Sequence, residues 1–199
     1  MQRIATAVTM LLAVAVLAAP GSALGFPKSL CGVPSGGELA AAHISGPCRR
    51  LKTAHHVTHT PVGELRNVAL GAAWGHVPTS GVGHELTISL TRFSGSSSAL
   101  AEGRKRLRAK ILAEGRPVGV GSVAEWHGET SSCPNPPTDD CTVSTVSAIV
   151  HNSVVAVSLI DFPTGGSESQ ANDDAEDLAQ EEADMGPVVA IASSIAKTV

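Results

Sequence analysis

Apolar and polar positions alternate most cleanly along His84-Glu85-Leu86-Thr87-Ile88-Ser89-Leu90-Thr91-Arg92, where Leu86, Ile88 and Leu90 fall on one side of an extended chain. That period of two predicts a β-strand with one buried face. Asn67 to Trp74 is short and apolar and reads as its antiparallel neighbour, reached through the turn-rich segment Pro78 to Gly83. Further on, Val118 to Trp126 reads as extended, and Thr142 to Val150 is β-branched enough to be a strand. His151-Asn152 then predicts a two-residue hairpin turn into Ser153 to Ile160, whose two faces are both largely apolar, as in a central strand.

Two segments change to helical spacing. Ser96-Ser97-Ser98 offers an N-cap, Leu100, Leu107 and Ile111 recur on one side, and Gly115 with Pro117 ends the run. From Ala171 onward Ala175, Leu178, Met185, Val188, Ala192, Ile195 and Val199 share a stripe, and Gly186-Pro187 should kink or divide that helix. A short helix is expected around Glu38 to His43. No internal repeat is visible. The order of strands, helix, strands, helix with tight hairpins implies an α+β domain, with an antiparallel sheet of about five strands and helices packed on one face.

The start of the chain bears on where that domain works. Arg3 is followed by a nearly continuous apolar run from Ile4 to Ala19, broken by Pro20-Gly21-Ser22 ahead of small residues. This pattern predicts a signal peptide over residues 1–25, cleaved after Ala23 or Gly25. A retained anchor is the competing reading, although a run of about 16 residues is short for a span of roughly 20. Lipidation at Cys31 is disfavoured by the bulk of the preceding Leu30. Residues 26–199 are then expected as a single secreted domain with no stable membrane span, in which 26–47 form an N-terminal strap and 165–170 a linker to the last helix.

Charge and aromatic content narrow the partners. The formal net charge is −4, and loss of Arg3 makes it one unit more negative, which opposes binding to nucleic-acid phosphates. Two Trp, three Phe and no Tyr leave little for base stacking. No nucleic acid is expected as a partner. Trp74 and Trp126 read as core residues, with a ligand cleft as the alternative. Arg104, Lys105, Arg106, Arg108 and Lys110 crowd one helix, while Glu168 to Asp184 contains eight acids and no base. Five charges on two turns must spread around a helix, so a solvated face is favoured over an anionic partner. The acidic run lacks the alternating ligands and glycine of a calcium loop; it reads as a solvated face, with pairing to the basic helix a further option.

Candidate chemistry is sparse. Four cysteines in an exported chain predict two disulfides, and of the three pairings Cys31 with Cys48 and Cys133 with Cys141 are favoured as local pairs. Their spacing matches no zinc site. His55-His56-Val57-Thr58-His59 is the nearest approach to a metal ligand set, but Val57, Thr58, Thr60 and Pro61 disfavour the helix that would align His55 with His59. A polar surface loop is expected instead, with no metal. His84-Glu85 begins like a zinc-protease motif, yet Ile88 occupies the position of its second histidine. No G-x-S-x-G elbow occurs, and paired cysteines leave no thiolate. No catalytic, cofactor-binding or metal residue is therefore assigned, and no cofactor is expected.

Gly46-Pro47-Cys48-Arg49-Arg50-Leu51, the strand ending Ala73-Trp74, the segment Val120-Gly121-Ser122-Val123-Ala124-Glu125-Trp126 and the Ala-rich closing helix have a further use. Together they resemble small exported actinobacterial domains, namely secreted proteins and lipoproteins of unknown function and the extracellular sensor domains of receptor serine/threonine kinases. The resemblance spans residues 46–199 and implies a sheet with helices around it, two disulfides and a ligand cleft, without catalytic residues. A lipobox, a kinase and a membrane span are not seen with it. The expectation is a secreted, noncatalytic binding or interaction protein of the cell envelope, with an unknown envelope ligand or protein as partner. A secreted hydrolase is the alternative.

Overall fold

The structure, a computed structural model, describes residues 26–75, 83–112, 115–132, 140–162 and 170–199. Residues 1–25, where a signal peptide is expected, the Pro78 turn segment up to Val82, the loop containing Cys133 and most of the expected 165–170 linker lie outside the described residues. Ten elements follow one another: α1 (Gly36–Ala41), β1 (Arg49–Thr60), β2 (Gly63–Gly75), β3 (Gly83–Gly95), α2 (Ser97–Ile111), β4 (Arg116–Pro117), β5 (Val123–Ser132), β6 (Asp140–Val150), β7 (Ser153–Phe162) and α3 (Gln170–Ala196).

The α+β class and the antiparallel pairing are as expected, but the sheet has seven strands rather than about five, in the order β1-β2-β3-β7-β6-β5-β4. The two additional strands are β1 and the two-residue β4. The expected surface loop at His55 to His59 is instead part of edge strand β1: Val57, Thr58 and Thr60, which disfavour a helix, are β-branched and suit a strand, and an edge strand tolerates polar residues on both faces. Two antiparallel meanders, β1-β2-β3 and β4-β5-β6-β7, are joined where β3 pairs with β7, and α2 connects them in sequence. The doubly apolar β7 therefore sits at the middle of the sheet, the position its composition requires.

Register divides the sheet into two faces. Leu86, Ile88 and Leu90 stand opposite Leu159, Val157 and Val155, and Val157 stands opposite Val146. All seven are fully buried together with Trp74, Ala148, and Val188, Ile191, Ala192 and Ile195 of α3. The N-terminal strap closes the same core with Leu30, Ala42 and Ile44. Within the strap, Ser35 caps helix α1 through a box in which its side chain accepts from the Glu38 N–H while the Glu38 side chain accepts from the Ser35 N–H.

Helix α2 lies on the other face. Leu65, Phe93, Ile149 and Val154 alternate with the α3-facing residues of their strands, and they line the contact with Leu100, Gly103 and Leu107. A Cβ on Gly103 would come within 2.7 Å of Leu65 Cδ2, so the glycine permits the close approach. The expectation of helices on one face is thus corrected: α2 and α3 cover opposite faces. The hydrophobic stripe of each helix was visible, whereas the face it covers depends on the chain crossing from one meander to the other.

Helix α3 runs unbroken past Pro187, so the proline does not divide it. Cys31 and Cys48 are bonded, with Cα atoms 5.5 Å apart, and tie the strap to the start of β1. The second expected bridge involves Cys133, which lies outside the described residues; no described cysteine is a free thiol, and Cys141 is buried. No described helix is long and apolar enough to cross a membrane.

Candidate functional site

Between the C-terminal half of α2 and strands β5 and β6 lies a groove of about 420 Å³. The pleat explains its lining. On β5, Ala124 and Trp126 point into the α3-side core, which turns Glu125 and His127 toward α2; on β6 the same alternation presents Thr145 and Ser147. Leu107, Ile111 and Val154 form an apolar wall, and Lys110 lies at the rim.

The groove's polar groups are held rather than loose. Glu125 is buried, and its Oε2 accepts a hydrogen bond from the Gly115 N–H at 2.9 Å. A side chain at Gly115 would meet Trp126 O at 2.6 Å and Glu125 Cβ at 2.9 Å, so glycine is required for this contact. Thr145 and Ser158 hydroxyls share a hydrogen bond of 2.9 Å across β6 and β7. An apolar wall facing several fixed donors and acceptors is the usual construction of a small-molecule pocket.

A second polar cluster sits on the α3 face, at the end of β3 and β7. His84 Nδ1 hydrogen-bonds Asp161 Oδ1, and His43 stacks on His84 with ring centroids 5.5 Å apart. Gln180 of α3 donates to Asp161 Oδ2 at 2.7 Å and to Asp184 Oδ1 at 3.0 Å. Burial, followed by the charge of Asp161, pushes the Asp184 carboxyl up to about 7. A histidine on an aspartate is two thirds of a hydrolytic triad, but among the described residues no hydroxyl hydrogen-bonds His84.

Of the residues singled out from sequence, His84 falls in the second cluster and Lys110 at the groove, and most others lie elsewhere. His55, His56 and His59 are exposed along edge strand β1, and among the described residues no three His, Cys, Asp or Glu side chains are arranged to hold a metal ion. His84-Glu85 is on a strand, where a helical zinc motif has no meaning. Trp74 and Trp126 are core residues, and Trp126 Nε1–H donates to Ser144 Oγ at 2.6 Å. On the basic helix, Arg104 donates to His151 O and Asn152 Oδ1, Arg106 pairs with Glu102, and Lys110 reaches the groove. The acidic run is not wholly solvated: Asp184 is buried, and Glu182 pairs with Arg116 of β4 rather than with the basic helix.

Sequence reasoning passed over both clusters. Polar residues at 125 and 127, and again at 145 and 147, keep a period of two within otherwise apolar strands, and this signal marks a polar face. Asp184 lies one helical turn before Val188, in phase with the buried stripe. Compared with protein families, curated proteins and solved structures, the chain matches none.

Proposed function

We propose that this chain is an exported, noncatalytic binding protein of the cell envelope, and that its ligand occupies the groove between α2 and strands β5 and β6. The observation that carries the reading is the groove itself: about 420 Å³, with an apolar wall of Leu107, Ile111 and Val154, with Glu125, His127, Thr145 and Ser147 presented by β5 and β6, and with Lys110 at the rim. That volume suits a small organic molecule. The Cys31–Cys48 disulfide supports an oxidising compartment, in keeping with the leader-like residues 1–25 and with the resemblance to exported actinobacterial sensor-type domains.

The test is a panel of small polar and amphipathic compounds screened by thermal shift and titration calorimetry against the mature protein and a Ser147→Trp variant that fills the groove. Binding to the mature protein that the variant loses is the expected result. A ligand bound equally by both would place the site elsewhere, and turnover of a bound compound would replace binding with catalysis. Export is checked separately by N-terminal sequencing of protein recovered outside the cell. A start between residues 24 and 26 is expected, and an intact Met1 or Gln2 on membrane-bound protein would reject cleavage.

A further inference from the structure

We propose that His84, Asp161, Gln180 and Asp184 form a proton-operated latch, which holds the middle of α3 on the sheet while Asp184 is protonated and loosens it once Asp184 ionises. The latch is separate from the groove, on the opposite face of the sheet, and does not depend on what the groove binds.

The geometry places two carboxylates under one helix with a single amide between them. Asp161 and Asp184 are 7% and 3% exposed, and the Gln180 side-chain nitrogen donates to both. Asp161 is otherwise satisfied by His84, whereas Asp184 Oδ2 is buried and has no hydrogen-bond partner among the described residues. An ionised carboxylate oxygen in that position carries the full cost of lost solvation; a protonated one does not. Thr142 Oγ1, on the residue opposite Asp161 in β6, is likewise buried and unpaired among the described residues, so no further donor reaches the pair from that side.

Among the described residues, the ion-pair partner of this cluster is His84, which faces Asp161. His84 comes from β3, and His43, from the turn after α1, stacks against its ring. Among the described residues, β5 and β6 bring Trp126, Thr142 and Ser144 to this face and no charge. Arg116 and Glu182 pair with each other on the exposed side of α3. Ionisation of Asp184 would set a second carboxylate charge beside Asp161 in a buried place, which weakens the attachment of α3.

The sign follows from linkage. Asp184 prefers its proton when α3 is seated and behaves as an ordinary aspartate when α3 is lifted, so seating takes up a proton. The equilibrium for lifting should grow by up to about tenfold per pH unit between roughly pH 4 and 7, then level off. This is the reverse of a paired carboxylate, which stabilises as pH rises.

Hydrogen exchange of the full mature chain, measured from pH 4.5 to 8 and corrected for intrinsic exchange, tests the latch against Asp184→Asn, whose amide stays neutral. Protection of residues 180–188 in the native protein should fall across pH 4.5 to 7 by at least about tenfold more than in the variant, while the centre of β7 changes alike in both. Carbon NMR of the Asp184 carboxyl provides a second reading that needs no variant, and should show titration well above the ordinary aspartate range. Parallel pH profiles for the two proteins, or an Asp184 carboxyl that titrates near 4, would overturn the proposal.

Discussion

Ser144 is fully buried on β6 and serves one neighbour, the indole N–H of Trp126 at 2.6 Å. A buried N–H without an acceptor costs more than the bond returns when made, so Ser144→Ala should lower stability by about 1–3 kcal/mol in urea unfolding. The same substitution in a Trp126→Phe background should cost less than half of that, because no donor is then left stranded. Equal costs in both backgrounds would mean that Ser144 acts through packing alone. Trp126 was readable as a core residue from the scarcity of aromatics in the chain. Ser144 was not, since a serine within Thr142 to Val150 looks the same whether it faces water or an indole. Glu38 illustrates the opposite titration to Asp184. Burial raises its carboxyl, but hydrogen bonds from Ser194 and Ser35 outweigh that and hold it below the ordinary value. A lowered carboxyl contributes stability above its unfolded value and loses it on acidification, so Glu38→Gln should flatten the acid side of a melting-temperature profile only slightly.

Helix α2 depends on a good N-terminus and a thin waist. Ser96 accepts from the Ala99 N–H at 3.2 Å, and Ser96→Ala should cost about 1 kcal/mol by chemical denaturation. Gly103 weakens the helix intrinsically by roughly 1 kcal/mol relative to alanine, yet a Cβ there would come within 2.7 Å of Leu65 Cδ2 unless that side chain moved. Gly103→Val should therefore lose about 1–3 kcal/mol through overpacking, and a concurrent Leu65→Ala should recover part of it. Recovery would be absent if the loss came from helix propensity alone. Edge strand β1 shows how an element is misread. Polarity on both faces of 49–60 resembles a loop until β2 is present to supply hydrogen bonds, and exposure then explains why Arg49, Lys52 and three histidines are tolerated.

Over the whole molecule, the disulfide joins residues separated by 17 positions and fastens a strap that contributes Leu30, Ala42 and Ile44 to the main core. Closing a loop of that size restricts the unfolded chain by about 3 kcal/mol. A Cys31→Ser, Cys48→Ser double variant should lose stability of that order, and proteolysis near Ser29 to Gly37 should become fast under native conditions. Unchanged protection of the strap would show that its apolar contacts suffice without the bond.

By itself the sequence determined the α+β class, the two long helices, the hairpin at His151-Asn152, the central place of β7 and the Cys31–Cys48 pair. Each rests on a local period, a turn signal or a short spacing. The tertiary structure alone decided that α2 and α3 take opposite faces, that β1 extends the sheet, and that a groove and a buried carboxylate cluster form. Those features join residues such as Glu125 with Thr145, or His84 with Asp161 and Asp184, which are distant along the chain. Their chemistry arises only when pleat, register and helix docking bring separate periodic patterns to one place.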